Sequence, residues 1–199
     1  MVKHMPALPY SEIGAFMEAL KAQDGIGAVV LQFTILTAAR TSETIGAKLD
    51  EFDLNNAIWT IPADRMKSQK EHREPLSTPA LEIVNEMAET PGSEYLFPGG
   101  RKGRPLSNMA MLMTLDRMGR RDITVHGFRS WFRDWAAEQT SFAREVAEAA
   151  LAHTIPDAVE AAYRRGDLFE KRRRLMADWA DYCGTVKQAG KVIPIRQRK

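Results

Sequence analysis

The longest apolar stretch of the chain runs from Ile26 to Ala39 and is interrupted only by Gln32 and two threonines. A helix with this sequence has no broad polar face, so the rest of the chain has to enclose it. It is too short and too interrupted to span a bilayer, which takes roughly 20 apolar residues. A buried central helix is the expectation, ending near Arg40, with amphipathic neighbours around it. Ile13, Phe16, Met17 and Leu20 recur at helical spacing after Ser11, the expected N-cap, and Asp24-Gly25 supplies the turn between these two helices. A short helix is expected from Glu43 to Lys48.

The period then changes to two. Phe52 and Leu54, the polar pair Asn55-Asn56, and Ile58-Trp59-Thr60-Ile61 read as a hairpin closed off by Pro62, with His72 to Leu76 as a third strand. Thr78-Pro79 restarts a helix with proline in its first turn, and Leu81, Val84 and Met87 give it an apolar face. The stretch from Pro91 to Pro105 is rich in glycine, proline and basic residues. It reads as a loop with a short strand at Tyr95–Phe97. Ser107 is placed to cap a methionine-rich helix that Gly119 ends. Further helical segments are expected to begin near Thr124, Phe142, Pro156 and Asp167, the last with Glu170 three residues on in a capping-box pattern.

With no internal repeat and no long linker, residues 6–183 read as one domain of the α+β class, mostly helical, with a small three-stranded antiparallel sheet. Met1 to Met5 reads as a cloning scar and 184–199 as an extended or disordered tail. Cys183 is the only cysteine, which excludes an internal disulfide and fits a reducing cytosol. No export signal or membrane span is apparent at the N-terminus.

A net charge of +2 would not by itself suggest a nucleic-acid partner. The distribution says more. Arg101, Lys102 and Arg104 form one basic cluster, and Arg117, Arg120 and Arg121 a second. Arg164, Arg165, Lys171, Arg172, Arg173 and Arg174 form a third, while acidic residues gather in 43–53 and 82–94. This segregation suits either a phosphate-binding face or an ordinary solvated surface.

Several residues carry chemistry. His126 and Arg129 lie three apart, one turn of helix, beside a separate aromatic stripe of Phe128, Trp131, Phe132 and Trp135 that would anchor that helix in the core. Taken alone, an exposed pair on an amphipathic helix is the simpler reading of them. Arg40 closes a very apolar segment and needs an anionic partner, which Glu43 or a phosphate would supply. Lys67 lies just beyond the hairpin, as many solvated lysines do. His153 follows an apolar helix end, where the helix dipole alone accounts for it. Tyr163 has Ala161-Ala162 before it and Arg164-Arg165 after it, and would by default be a core tyrosine.

Their order is more specific than any one of them. Thr37-Ala38-Ala39-Arg40-Thr41-Ser42-Glu43 resembles the first arginine motif of the phage integrase, or tyrosine recombinase, family. Met66-Lys67 with His72-Arg73-Glu74-Pro75-Leu76-Ser77 looks like that family's lysine and its surroundings. His126-Gly127-Phe128-Arg129 is similar to its His-x-x-Arg box. Leu151-Ala152-His153, followed ten positions later by Tyr163, resembles its terminal block as found in integrases of temperate and satellite phages, prophages and genomic islands.

The resemblance implies the recombinase catalytic-domain fold and the catalytic set Arg40, Lys67, His126, Arg129, His153 and Tyr163. It further implies site-specific recombination through a 3′-phosphotyrosine made by Tyr163, with no metal, ATP or other cofactor. Double-stranded DNA attachment sites would be the partner, with a homotetramer on DNA, a monomeric free domain and a cytoplasmic, nucleoid-associated location. A host DNA-bending factor and an excisionase would be possible accessories. The family's N-terminal arm-binding and core-binding domains have no counterpart in these residues. Two rival readings are a type IB topoisomerase-like enzyme, which typically has lysine where His126 stands, and a non-catalytic DNA-binding regulator, which would be expected to lose some of the six.

Overall fold

The computed structural model describes residues 9–90, 92–153 and 166–186. A 3-10 turn at Tyr10–Glu12 leads into α1 (Ile13–Lys21), and Gly25, in the left-handed region at φ 91°, turns the chain into α2 (Ile26–Thr37). α3 (Thr41–Ile45) precedes the sheet of β1 (Phe52–Asp53), β2 (Ile58–Ile61) and β3 (His72–Pro75). Then come α4 (Thr78–Ala88), α5 (Met109–Arg117), α6 (Gly127–Gln139), α7 (Arg144–Ala150) and α8 (Phe169–Gly184).

α2 is central, as its composition requires. Nine of its twelve residues are buried, so no face is left for solvent, and α1, α3, α4, α5 and α8 all pack against it. The sheet has the order β1-β2-β3 and is antiparallel throughout, with Trp59 opposite Phe52 and Glu74. Trp59 is fully buried, stacks on Phe52 and meets Phe33 of α2, which in turn meets Phe97. A second aromatic group joins α6 to α8: Phe132 and Trp135 both lie against Trp179. The indole N–H of Trp179 donates to the Ile35 carbonyl oxygen of α2 at 2.8 Å. Burying a large apolar side chain of this kind contributes about 1.5–3 kcal/mol.

The architecture matches expectation, a mostly helical domain with a three-stranded antiparallel sheet, while several boundaries move for identifiable reasons. Ser11 lies inside the 3-10 turn, so α1 begins at Ile13. α2 stops at Thr37 because Ala38 is left-handed, at φ 48°. Arg40 instead starts α3, where its backbone N–H donates to the Glu43 carboxylate at 2.8 Å. α3 accordingly spans Thr41–Ile45 rather than 43–48. Leu54 belongs to the turn after β1, where the Asp53 carboxylate accepts the Asn56 N–H at 3.0 Å and so closes the turn. Tyr95 forms only an isolated bridge to Lys48, in place of a strand. α6 begins at Gly127, later than Thr124, whose hydroxyl accepts the Gly127 N–H at 3.2 Å. α7 starts at Arg144, and α8 extends to Gly184, the position where the tail was expected to begin. The helix expected near Pro156 and the tail beyond Val186 lie outside the described residues.

Candidate active site

Two helix ends and one helix beginning meet at a single point. α7 closes with Ala152 in the left-handed region at φ 49°. The His153 N–H returns to the Glu148 carbonyl oxygen at 3.0 Å and the Ala152 N–H to that of Ala149 at 3.1 Å. This is the Schellman arrangement, and it leaves the last carbonyls of α7 open to an outside donor. α2 likewise ends on left-handed Ala38.

Arg129 fills the space between these two ends. It sits on α6 beside Phe128, Trp131 and Phe132, all buried, so the helix cannot rotate to bring it to solvent, and it is only 6% exposed. Its guanidinium donates to the carbonyl oxygen of Ala38 at the end of α2, and to that of Leu151 at the end of α7 at 2.7 Å. The same nitrogen lies 3.5 Å from His153 Nε2. Two helix C-termini thus turn the negative ends of their dipoles toward one cation. Burial, and behind it the Arg40 charge, push the Arg129 pKa down to about 10, against the pull of Glu43 and Glu74. It therefore stays charged at neutral pH.

Arg40 caps α3 on the other side. One guanidinium nitrogen donates to Glu43 at 2.6 Å and the other reaches the Ala152 carbonyl oxygen at 3.5 Å. Of the two anionic partners the sequence left open, Glu43 is the one present in the free protein. Glu43 is itself buried, so it binds Arg40 through both the backbone and the side chain. His126 stands at the N-cap of α6, one turn ahead of Arg129. Burial first, then the charges of Arg129, Arg40 and His153, hold its pKa below the usual histidine value.

His153 completes the group. Its Nδ1 lies 2.7 Å from the Glu148 carboxylate, which fixes the ring and leaves Nε2 facing Arg129. Burial works against the charge of Glu148. The hydrogen bond to His153 and the charges of Arg133, His153 and Arg144 outweigh it, so the carboxyl lies below its ordinary range. Glu148 is the residue that sequence reasoning missed. It stands five positions before His153 across a helix end, and the three- and four-residue spacing of helix faces does not pair such positions.

The structure thus unites Arg40, His126, Arg129 and His153. Lys67 is exposed in the turn between β2 and β3, and no contact joins it to the other four among the described residues. Tyr163 lies outside the described residues.

Known proteins resemble this chain in sequence and in fold. The phage integrase family profile matches residues 7–167. The prophage integrase IntZ of Escherichia coli (strain K12) is 34% identical over 186 residues, covering 92% of this chain and 46% of its own length. The integrase of Enterobacteria phage P4 is 32% identical over 200 residues, covering 90% and 46%. The chain thus spans less than half the length of these relatives. Among solved structures, an integrase from mycobacterium phage Brujita superposes with a TM-score of 0.69 at 18% identity, over 96% of this chain and 63% of that one. Lambda integrase (75-356), a dimer bound to a COC′ core site, gives 0.57 at 18% identity, over 75% and 57%. With its profile match, its identity to named integrases and their fold, the chain belongs to the phage integrase family, the tyrosine recombinases.

Proposed function

We propose that this chain is the catalytic domain of a site-specific DNA recombinase that cuts and rejoins a phosphodiester through Tyr163. The observation that carries the reading is the convergence of Arg40, Arg129, His126 and His153 around one space, with Arg129 buried and, among the described residues, donating to two backbone carbonyls and to no carboxylate. A guanidinium that receives carbonyl dipoles and no direct carboxylate keeps its full charge available for an incoming anion. A phosphate matches these two cations in charge, and its non-bridging oxygens match the planar forks of two arginines.

In this reading Tyr163 attacks phosphorus, forming the 3′-phosphotyrosine bond as the bond to the 5′-oxygen breaks. The covalent link conserves the phosphodiester energy, so rejoining needs no nucleotide. Arg40 and Arg129 stabilise the charge that builds on the non-bridging oxygens. His126, held neutral by its surroundings, accepts the phenolic proton. His153, oriented by Glu148, hydrogen-bonds the phosphate. Lys67, on its exposed turn, protonates the departing 5′-oxygen.

The partner is double-stranded DNA at attachment sites, cut by four copies assembled on it, with the free chain monomeric. The structural neighbour bound to a core site supports a DNA partner. A host DNA-bending factor and an excisionase belong to the same reading, as does a place with the bacterial nucleoid. The arm-binding and core-binding domains would lie in sequence beyond these residues.

A nicked suicide substrate, which traps the covalent product, tests the reading. The native chain is expected to form a protein–DNA adduct. Tyr163→Phe is expected to form none while keeping its circular dichroism spectrum and its non-covalent affinity. An adduct with the variant would transfer the role to another tyrosine, Tyr95 or Tyr182 first.

A further inference from the structure

Apart from the phosphate site, the densest charged cluster among the described residues joins β3 to the start of α8. Its centre is Asp167. One carboxylate oxygen, Oδ2, accepts from Arg73 Nε at 3.1 Å and Nη2 at 2.8 Å, and from Arg172 Nη2 at 3.1 Å. Arg172 Nε also donates to the Asp167 backbone carbonyl oxygen at 2.9 Å. The other carboxylate oxygen accepts the Phe169 N–H at 3.2 Å and so starts α8. The Phe169 ring carries three guanidinium groups, from Arg73, Arg173 and Arg172, at 4.6, 4.9 and 5.5 Å from its centre.

The cluster is rooted in the core. Arg172 is 1% exposed and Glu74 2%. Glu74 Oε2 lies 3.1 Å from His72 Nε2 and 3.9 Å from Arg172 Nη1, while Oε1 has no hydrogen-bond partner among the described residues. Leu168, between Asp167 and α8, is left-handed at φ 56°. A side-chain residue in that conformation costs energy and persists only where its surroundings over-determine it. The clasp is what determines it here.

Helix capping alone needs only the Asp167–Phe169 hydrogen bond. Two further arginines on Asp167, one of them from a strand, call for another reason. Asp167 is four residues beyond Tyr163, whereas His153 is ten before it. Of these two anchors Asp167 is the nearer to Tyr163 along the chain. We propose that Asp167, gripped by Arg73 and Arg172, is a positioning residue that sets where Tyr163 can reach the scissile phosphate. This rests on the assignment of Tyr163 as nucleophile. The clasp also ties that anchor to β3, the strand that follows the Lys67 turn, so the expected nucleophile and general acid share one support.

The test uses Arg73 and Asp167, which are 44% and 43% exposed, so neither substitution opens the core. Single-turnover cleavage of the nicked suicide substrate, with protein in excess, gives the covalent rate, and titration of the protein gives affinity. Arg73→Ala and Asp167→Ala are each expected to slow cleavage about tenfold or more, since even a 1 Å misplacement costs up to about 100-fold. Non-covalent affinity should stay within about twofold, because neither group faces the bound phosphate in this reading. Asp167→Glu should recover most of the rate. The double alanine variant should be no slower than the slower single one, as two partners of one contact require.

Native cleavage rates in both single variants would overturn the proposal, as would additive losses in the double. So would a loss of rate matched by an equal loss of affinity. An adduct formed by Tyr163→Phe would remove the nucleophile assignment itself. No adduct with Tyr163→Phe together with unimpaired Asp167 variants would remove the clasp alone.

Discussion

His126 and Arg129 stand one turn apart and answer the same burial in opposite ways. Arginine has so high an intrinsic pKa that a value near 10 still leaves it charged at neutral pH. Histidine starts near 6.5, so a downward push makes His126 a neutral base under ordinary conditions. The linkage has a definite sign. In the unfolded chain His126 returns to its ordinary value, so unfolding takes up a proton in the interval between the two values. The stability linked to this group is fully present above about pH 6.5 and is lost as pH falls through the lower folded value. The carboxyls of Asp167 and Glu148, also held low, act in the same direction but in the more acidic carboxylate range. Urea midpoints of the free protein should therefore fall as the pH drops below about 6.5, and His126→Gln should flatten that fall. Identical pH slopes for the two proteins would show that His126 is not perturbed by folding. Glu148 and Glu43 do related work from outside the reacting group, one orienting His153 and the other holding Arg40 at the start of α3.

At the scale of elements, the site is made by endings. α2 and α7 both stop on a left-handed alanine, and the carbonyls so released hold Arg129 and Arg40. Alanine is a costly choice there, since the left-handed conformation penalises a Cβ by about 1–2 kcal/mol, while glycine adopts it freely at a smaller entropic cost. Ala152→Gly should therefore stabilise the folded chain, by about 0.5–1 kcal/mol, read as a higher urea midpoint at unchanged slope. A lower midpoint would mean that the Ala152 methyl packs too well to lose. The same feature explains what the sequence could and could not reveal. The hairpin at 52–61 and the buried stripe of α6 follow from periodicity, which Phe52, Ile58, Trp59, Phe128, Trp131 and Trp135 display openly. A helix C-terminus is usually marked by glycine, and here Ala38 and Ala152 stand in its place, so α2 was expected to run on to Arg40. The order of Arg40, His126, Arg129 and His153 was readable along the chain. The carbonyls that fix them, the Glu148 contact and the Asp167 clasp depend on which chain ends meet, and no local spacing encodes that.

Across the whole molecule, the charge pattern changes meaning once partners are assigned. The sequence shows three basic clusters, yet several of their arginines are already neutralised internally. Arg120 pairs with Asp122 at 2.9 Å, Arg121 with Asp116, and Arg172 with Asp167 at 3.1 Å. Two acids of the stretch 43–53 are likewise drawn inward, since Glu43 holds Arg40 and Glu51 takes both Arg65 and the Trp59 indole N–H, while Asp50 and Asp53 stay exposed. Arg101, Lys102 and Arg104 differ: all three are exposed and none makes an ion pair among the described residues. A cation without a protein partner releases a counterion when it meets a phosphate, and each such contact steepens the fall of log affinity with log salt by about 0.9 for duplex DNA. A cation already paired with a carboxylate adds little to that slope. Non-covalent binding of this chain to duplex DNA should thus weaken steeply with salt. Arg101→Ala and Arg104→Ala should each reduce the slope by about one, whereas the double change Arg120→Gln with Asp122→Asn, which removes one charge of each sign, should leave it as it was. Fluorescence anisotropy titrations over a series of salt concentrations give the four slopes, native and three variants, directly. If the paired substitution flattens the slope as much as the loop substitutions do, Arg120 leaves Asp122 for the DNA, and the cationic face is as broad as the sequence first suggested.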